Sequence, residues 1–104
     1  MTNSNNEMAQ RRFVTDSEEQ QVRVRLMQPT PGRDKGSFLC RYTIETDKET
    51  FEHEAWGVDT LQALLMALKM LAADLEAVRD HDYGGRLKWE FSRTVGDLGL
   101  PSGL

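Results

Sequence analysis

A chain of 104 residues with 38% hydrophobic and 29% charged side chains has the composition of one globular domain with a single modest core and no room for a second. Its net charge of −4 and pI near 5.1 have the wrong sign for a dedicated nucleic-acid binder, which needs surplus Lys and Arg for phosphates; they suit a basic protein partner instead. No apolar run approaches the roughly eighteen residues of a membrane helix, and the single cysteine, Cys40, cannot form an internal disulfide. With neither a basic start nor an apolar run of the secretory kind at the N-terminus, the expected location is the cytoplasm.

In chain order, residues 1–10 are polar and uncapped and read as a disordered leader. A single domain is expected over 11–95, and the glycine-rich 96–104 reads as a loosely attached tail. Residues 11–15 are a short strand candidate. Residues 21–26 alternate strictly, with Val22, Val24 and Leu26 on one face and Arg23 and Arg25 on the other. Two prolines and two glycines make 29–36 a loop. Residues 37–45 then place Phe38, Cys40, Tyr42 and Ile44 on one side and Leu39, Arg41 and Thr43 on the other. A two-residue turn at Asp47-Lys48 would pair Ile44 with Phe51, Tyr42 with His53 and Cys40 with Ala55. On the opposite face it would pair Thr43 with Glu52, Arg41 with Glu54 and Leu39 with Trp56, so that apolar mostly meets apolar and Arg meets Glu. Asp-Lys is not a preferred dipeptide for such a turn, and a one-residue slip would place Phe51 among the charges.

Residues 57–78 carry the strongest pattern. Leu61, Leu64, Leu65, Leu68, Leu71, Ala72, Leu75 and Val78 recur at three- and four-residue steps and gather into one stripe, the expected core face of a helix. Asp59 stands at the N-cap with Gln62 placed to reach back to its amide, and Gly84-Gly85 marks the stop. Roughly opposite the stripe lie Ala63, Met66, Ala67, Met70, Ala73 and Ala77. Alanine suits exposed helix positions, but Ala63, Met66, Met70, Ala73 and Ala77 together are also a candidate oligomer face. Residues 86–91, with Leu87, Trp89 and Phe91 on one side, predict a last short strand. The fold expected is α+β: an antiparallel four-stranded β-meander, one long amphipathic helix packed on one face, and a short C-terminal strand.

Catalytic chemistry is hard to find in the residues. His53 and His81 stand in no metal-ligand spacing, and alternation puts His53 on the opposite face from Glu52 and Glu54. Cys40 faces the expected core, where a thiol behaves as a small hydrophobe, and a nucleophile would need an adjacent base and an electropositive opening. His53 lies diagonally across the hairpin, on a face crowded by Phe38, Ile44 and Phe51. Residues 31–36 lack the spacing of a phosphate loop. No catalytic, cofactor or metal residue is assigned, no cofactor is expected, and the chain does not read as an enzyme.

Charge placement is the remaining clue. Glu45, Asp47, Glu49, Glu52 and Glu54 crowd one hairpin, Asp16, Glu18 and Glu19 crowd a turn, and Arg23, Arg25 and Arg41 share the outward sheet face. The plain account is a solvated sheet with weak cross-strand ion pairs. The sharper one is an acidic surface that steers a basic protein, with Leu39, Arg41, Glu52, Glu54 and Trp56 as the partner-binding set and Leu39 and Trp56 as its apolar anchor.

The stretch Gly57-Val58-Asp59-Thr60-Leu61-Gln62-Ala63-Leu64, preceded by a polar meander and followed by Leu87-Lys88-Trp89 and Leu98-Gly99-Leu100-Pro101, resembles a small uncharacterised bacterial domain-of-unknown-function family over residues 11–101. The resemblance implies a bacterial, cytoplasmic protein and carries over no catalytic residue. Three functional readings follow. The first is a noncatalytic protein-binding module, in its sharpest form an immunity or antitoxin-like inhibitor of a basic toxin or nuclease. The second is a structural homodimer. The third is a small enzyme or ligand carrier using a helix–sheet pocket around Tyr42, His53 and Cys40.

Overall fold

The computed structural model describes residues 6–17 and 19–101. The elements run β1 (Glu7–Val14), β2 (Gln20–Met27), β3 (Thr30–Pro31), β4 (Phe38–Glu45), β5 (Thr50–Gly57), α1 (Thr60–Asp82) and β6 (Lys88–Trp89). All strand pairs are antiparallel, and the fold is α+β. The four long strands neighbour one another in sequence order, and β6 joins the far side of β1. Because β5 pairs along the whole of β4, β2 and β3 share the other edge of β4, β2 against residues 42–45 and β3 against 38–39.

Six strands stand where four and a short fifth were expected. The extra strand, β3, falls inside the predicted loop, where Gly32 N–H donates to the Ser37 carbonyl at 2.9 Å and closes a hairpin onto β4. Proline is tolerated there because Pro31 occupies a position whose nitrogen points away from the ladder. β1 begins at Glu7, inside the predicted leader, and the rest of that leader, residues 1–5, lies outside the described residues. β6 covers two residues where six were expected: the chain turns at once, with Ser92 N–H donating to the Trp89 carbonyl, and leaves Phe91 74% exposed. The β4–β5 register is the expected one, from Glu45 opposite Thr50 to Leu39 opposite Trp56.

The helix is capped as its sequence indicates. The Asp59 side chain accepts from Gln62 N–H at 2.7 Å. Gln62 Oε1 reaches back to Val58 N–H, one residue beyond the amide expected, also at 2.7 Å. After Asp82 the chain turns through Gly84 and Gly85, both at positive φ, and Gly85 N–H donates to the Arg79 carbonyl.

The buried face of α1 keeps Leu71, Leu75 and Val78 of the predicted stripe and departs from it in the first two turns. It is Ala63, Ala67, Leu71, Leu75 and Val78, whereas Leu61 and Leu65 are 61% and 48% exposed and Leu64 and Leu68 are half-buried. Ala63 and Ala67, assigned to the opposite side from sequence, are fully enclosed. The cause is the short corner between β5 and α1. A Cβ on Gly57 would lie 2.4 Å from the Ala63 nitrogen, so the first helical turn is pressed against the strand and only a small side chain fits between them. Periodicity favoured the bulky residues; the corner selects the small ones. The core formed by this face and the sheet includes Phe13, Val22, Val24, Cys40, Tyr42, Ile44 and Ala55, with Leu87 and Leu98.

Residues 96–101 of the glycine-rich tail are fastened where looseness was expected, and 102–104 lie outside the described residues. Leu98 is buried, Arg11 donates to the carbonyls of Gly99 (2.7 Å) and Leu98 (3.4 Å), and Arg79 donates to that of Gly96. Among the described residues no helix is long and apolar enough to cross a membrane.

Candidate partner-binding face

The sheet face turned away from the helix is a lattice of rows set by strand register. One row runs Thr30, Leu39, Trp56 across β3, β4 and β5, and the next brings Arg41 opposite Glu54. Beyond them Gln10, Arg25, Thr43 and Glu52 align, then Arg12, Arg23, Glu45 and Thr50. Alternation along each strand is what collects these residues on one side.

The five residues assigned from sequence therefore share one surface. Arg41 Nε donates to Glu54 Oε2 at 2.8 Å. Trp56 is 46% exposed, and Leu39 beside it is buried, forming floor more than contact point. Glu52 is exposed. A shallow cleft opens here between Trp56, Leu39, the Arg41–Glu54 pair and the strap of Thr30, Pro31 and Gly32. The strap is tight against the ring: a Cβ on Gly32 would sit 2.7 Å from a Trp56 ring carbon, so glycine lets it close over one edge of the indole. From sequence, residues 29–36 read as loop alone and the strap is not expected, although a glycine followed by a short polar run before a strand is also a hairpin signal.

The electrostatics of the face are more balanced than the acidic count implies. Glu54 is engaged by Arg41, and Arg25 sits between Glu7 at 3.6 Å and Glu45 at 3.4 Å, contacts too long to count as good hydrogen bonds. Asp16 pairs with Arg86, and Asp47 accepts from the Tyr83 hydroxyl at 2.7 Å. Glu18 lies outside the described residues.

The face of α1 proposed for oligomerisation is divided by the helix rotation. Ala63 is buried, Met70 is half-buried against the core, and Met66, Ala73 and Ala77 are exposed. Leu61 and Leu65 join Met66 on the exposed side, which sequence periodicity had assigned to the core.

The residues of the ligand-pocket reading, Tyr42, His53 and Cys40, are each engaged within the fold. Cys40 is buried, its Sγ donates to the Met27 carbonyl at 3.2 Å, and burial pushes the thiol pKa up. Tyr42 donates to Asp74 Oδ2 at 2.5 Å, and burial, then the hydrogen bond and charge of Asp74, hold its phenol well above the ordinary value. His53 stacks obliquely on Tyr42 at 5.4 Å and stands 3.9 Å from the same carboxylate oxygen. His81 is exposed in the last helical turn with no partner among the described contacts. Among the described residues no three His, Cys, Asp or Glu side chains are grouped to hold a metal.

Residues 9–102 match the model of a family described as a domain of unknown function (DUF6968). The chain belongs to this family. No curated protein and no solved structure matches it. The DUF6968 match takes in the whole sheet except the first two residues of β1, together with the helix and the fastened residues 96–101, so the outward face is part of the family domain.

Proposed function

We propose that this DUF6968 domain is a noncatalytic protein-binding module whose contact surface is the outward sheet face at Leu39, Arg41, Glu52, Glu54 and Trp56. The observation that carries the reading is Trp56: a half-exposed indole at the mouth of a cleft, steadied by Gly32, backed by Leu39 and bordered by an Arg–Glu pair. An aromatic anchor with a polar rim is the usual anatomy of a binding hot spot. The sharpest form, an inhibitor that covers a basic toxin or nuclease, draws on the overall acidity and on Glu52, which has no ion-pair partner among the described residues. To test the reading, a photoreactive side chain replaces Thr50, exposed on the same row of β5, in cells. The expected result is one cross-linked protein, lost in Trp56→Ala because truncating such an anchor commonly costs about 2 kcal/mol or more. Equal labelling from a control site at Lys35, or labelling indifferent to Trp56, would remove the surface from consideration.

A structural homodimer is the second reading, and its support is the exposed Leu61, Leu65 and Met66 on one side of the helix. Sedimentation at rising concentration separates the two: a mass that stays at 11.9 kDa excludes the homodimer.

A further inference from the structure

The two turns that flank β4 fix which backbone groups β5 leaves unpaired. Thr46 N–H donates to the Glu49 carbonyl and Gly32 N–H to the Ser37 carbonyl. In an antiparallel ladder the hydrogen-bonded pairs alternate with unbonded ones. The first bond therefore makes Ile44–Phe51, Tyr42–His53 and Cys40–Ala55 the bonded pairs of the β4–β5 ladder. The second bond gives the same parity independently, since it turns the backbone groups of Leu39 toward β3. Thr50, Glu52, Glu54 and Trp56 consequently direct their N–H and C=O groups away from β4. No other strand pairs with β5 among the described residues. The same four residues point their side chains to the outward face, and all four are exposed.

We propose that this open edge of β5 accepts, by β-strand addition, an extended segment of a partner protein that carries Lys or Arg at alternate positions beside Glu52 and Glu54. The inference rests on the binding-module reading and says how the partner is held. Main-chain bonds to the alternate residues of β5 supply the attachment, and the side-chain row supplies the choice of sequence. The charges decide the occupant. A second copy pairing β5 antiparallel to itself about His53 would set Glu52 against Glu54 twice, which like-charge cross-strand pairing disfavours. A basic strand in the same place meets two carboxylates, one of them without an ion-pair partner, and its outward row continues toward Trp56. Charge on an edge strand thus blocks self-pairing while admitting a strand of opposite sign.

The test uses the full chain, isotope-labelled, with a capped peptide of alternating lysine and threonine as probe and amide hydrogen exchange as readout. Amides of Glu52 and Glu54 should slow by about tenfold or more on saturation, while those of Phe51 and His53, already bonded to β4, stay unchanged. A peptide with glutamate for lysine, or one N-methylated on the amides that face β5, should produce no such alternation. Equal binding by the N-methylated peptide, binding without the alternating protection, or no binding at all would overturn strand addition. Protection that grows with protein concentration and no peptide would assign the edge to a second copy and overturn it as well. If the peptide fails while cross-linking from position 50 still depends on Trp56, the binding-module reading stands and only the strand-addition mode falls.

Discussion

Tyr42 and Tyr83 are the chain's two tyrosines, and each donates a hydrogen bond from its hydroxyl to a carboxylate, Asp74 at 2.5 Å and Asp47 at 2.7 Å. Burial, followed by the hydrogen bond and charge of Asp47, pushes the Tyr83 phenol from its ordinary 10.0 up to about 12, and Tyr42 is raised as well. A group whose pKa is higher folded than unfolded binds its proton more tightly in the folded chain. Its stabilisation is complete below the unfolded value and is lost as pH rises toward the folded one. Tyr83 should therefore withdraw its contribution between pH 10 and about 12. Tyrosinate absorbance of the native protein is expected to stay flat through pH values at which free tyrosine, with a pKa of about 10, is half ionised, and to rise together with loss of ellipticity. Full two-tyrosine titration centred near the ordinary value of about 10 in a chain that is still folded would show that neither phenol is held as described, and a plateau at half that amplitude would show that one is not.

At the scale of the element, the helix shows what periodicity can and cannot decide. Leu71 is buried and Leu65 is not, so Leu71→Ala should lose roughly 2–5 kcal/mol of stability through lost contacts and a partial cavity, and Leu65→Ala much less. Ala67→Leu is the discriminating variant. Buried against the sheet, it should cost about 1–3 kcal/mol by overpacking, whereas a chain packed on the predicted leucine stripe would accept it at an exposed position. Denaturant midpoints of the three variants settle the order, and a neutral Ala67→Leu would restore the original stripe. Sequence reading was reliable wherever both sides of an interaction are written in the chain. The 39–45 and 50–56 alternations contain each other's partners, and Asp59 with Gln62 contains its own cap. It went astray where a distant backbone decides: the phase of α1 is set by the two-residue corner after Gly57, β3 exists only because β4 offers an edge, and β6 stops where Ser92 turns back on Trp89. That the candidate residues share one outward face was legible for the same reason as the hairpin, since they alternate in paired strands; the Thr30–Gly32 strap was not, because its packing on Trp56 depends on the extra strand.

For the whole molecule, the helix and the tail cover different parts of one sheet. Helix α1 packs chiefly on β4 and β5. The far end is closed by β6, Leu98 and Leu100, and an apolar groove lined by Ala9, Val24, Leu26 and Leu68 runs between the two covers. Arg11 is the clasp of the second cover. Its guanidinium lies 4.3 Å over the Trp89 ring while donating to the Leu98 and Gly99 carbonyls, so one side chain ties β1 to both β6 and the tail. A partly exposed hydrogen bond from a charged donor is worth about 1 kcal/mol, so Arg11→Ala should raise opening of the tail by roughly fivefold. The sheet beneath α1 has its own packing and should be little affected. Limited proteolysis after residue 95 is therefore expected to accelerate in Arg11→Ala, with exchange of the Phe51 and His53 amides unchanged. Acceleration at both places by the same factor would mean instead that helix and tail open together, and that the sheet with its two covers is a single cooperative unit in which the clasp also stabilises the outward sheet face.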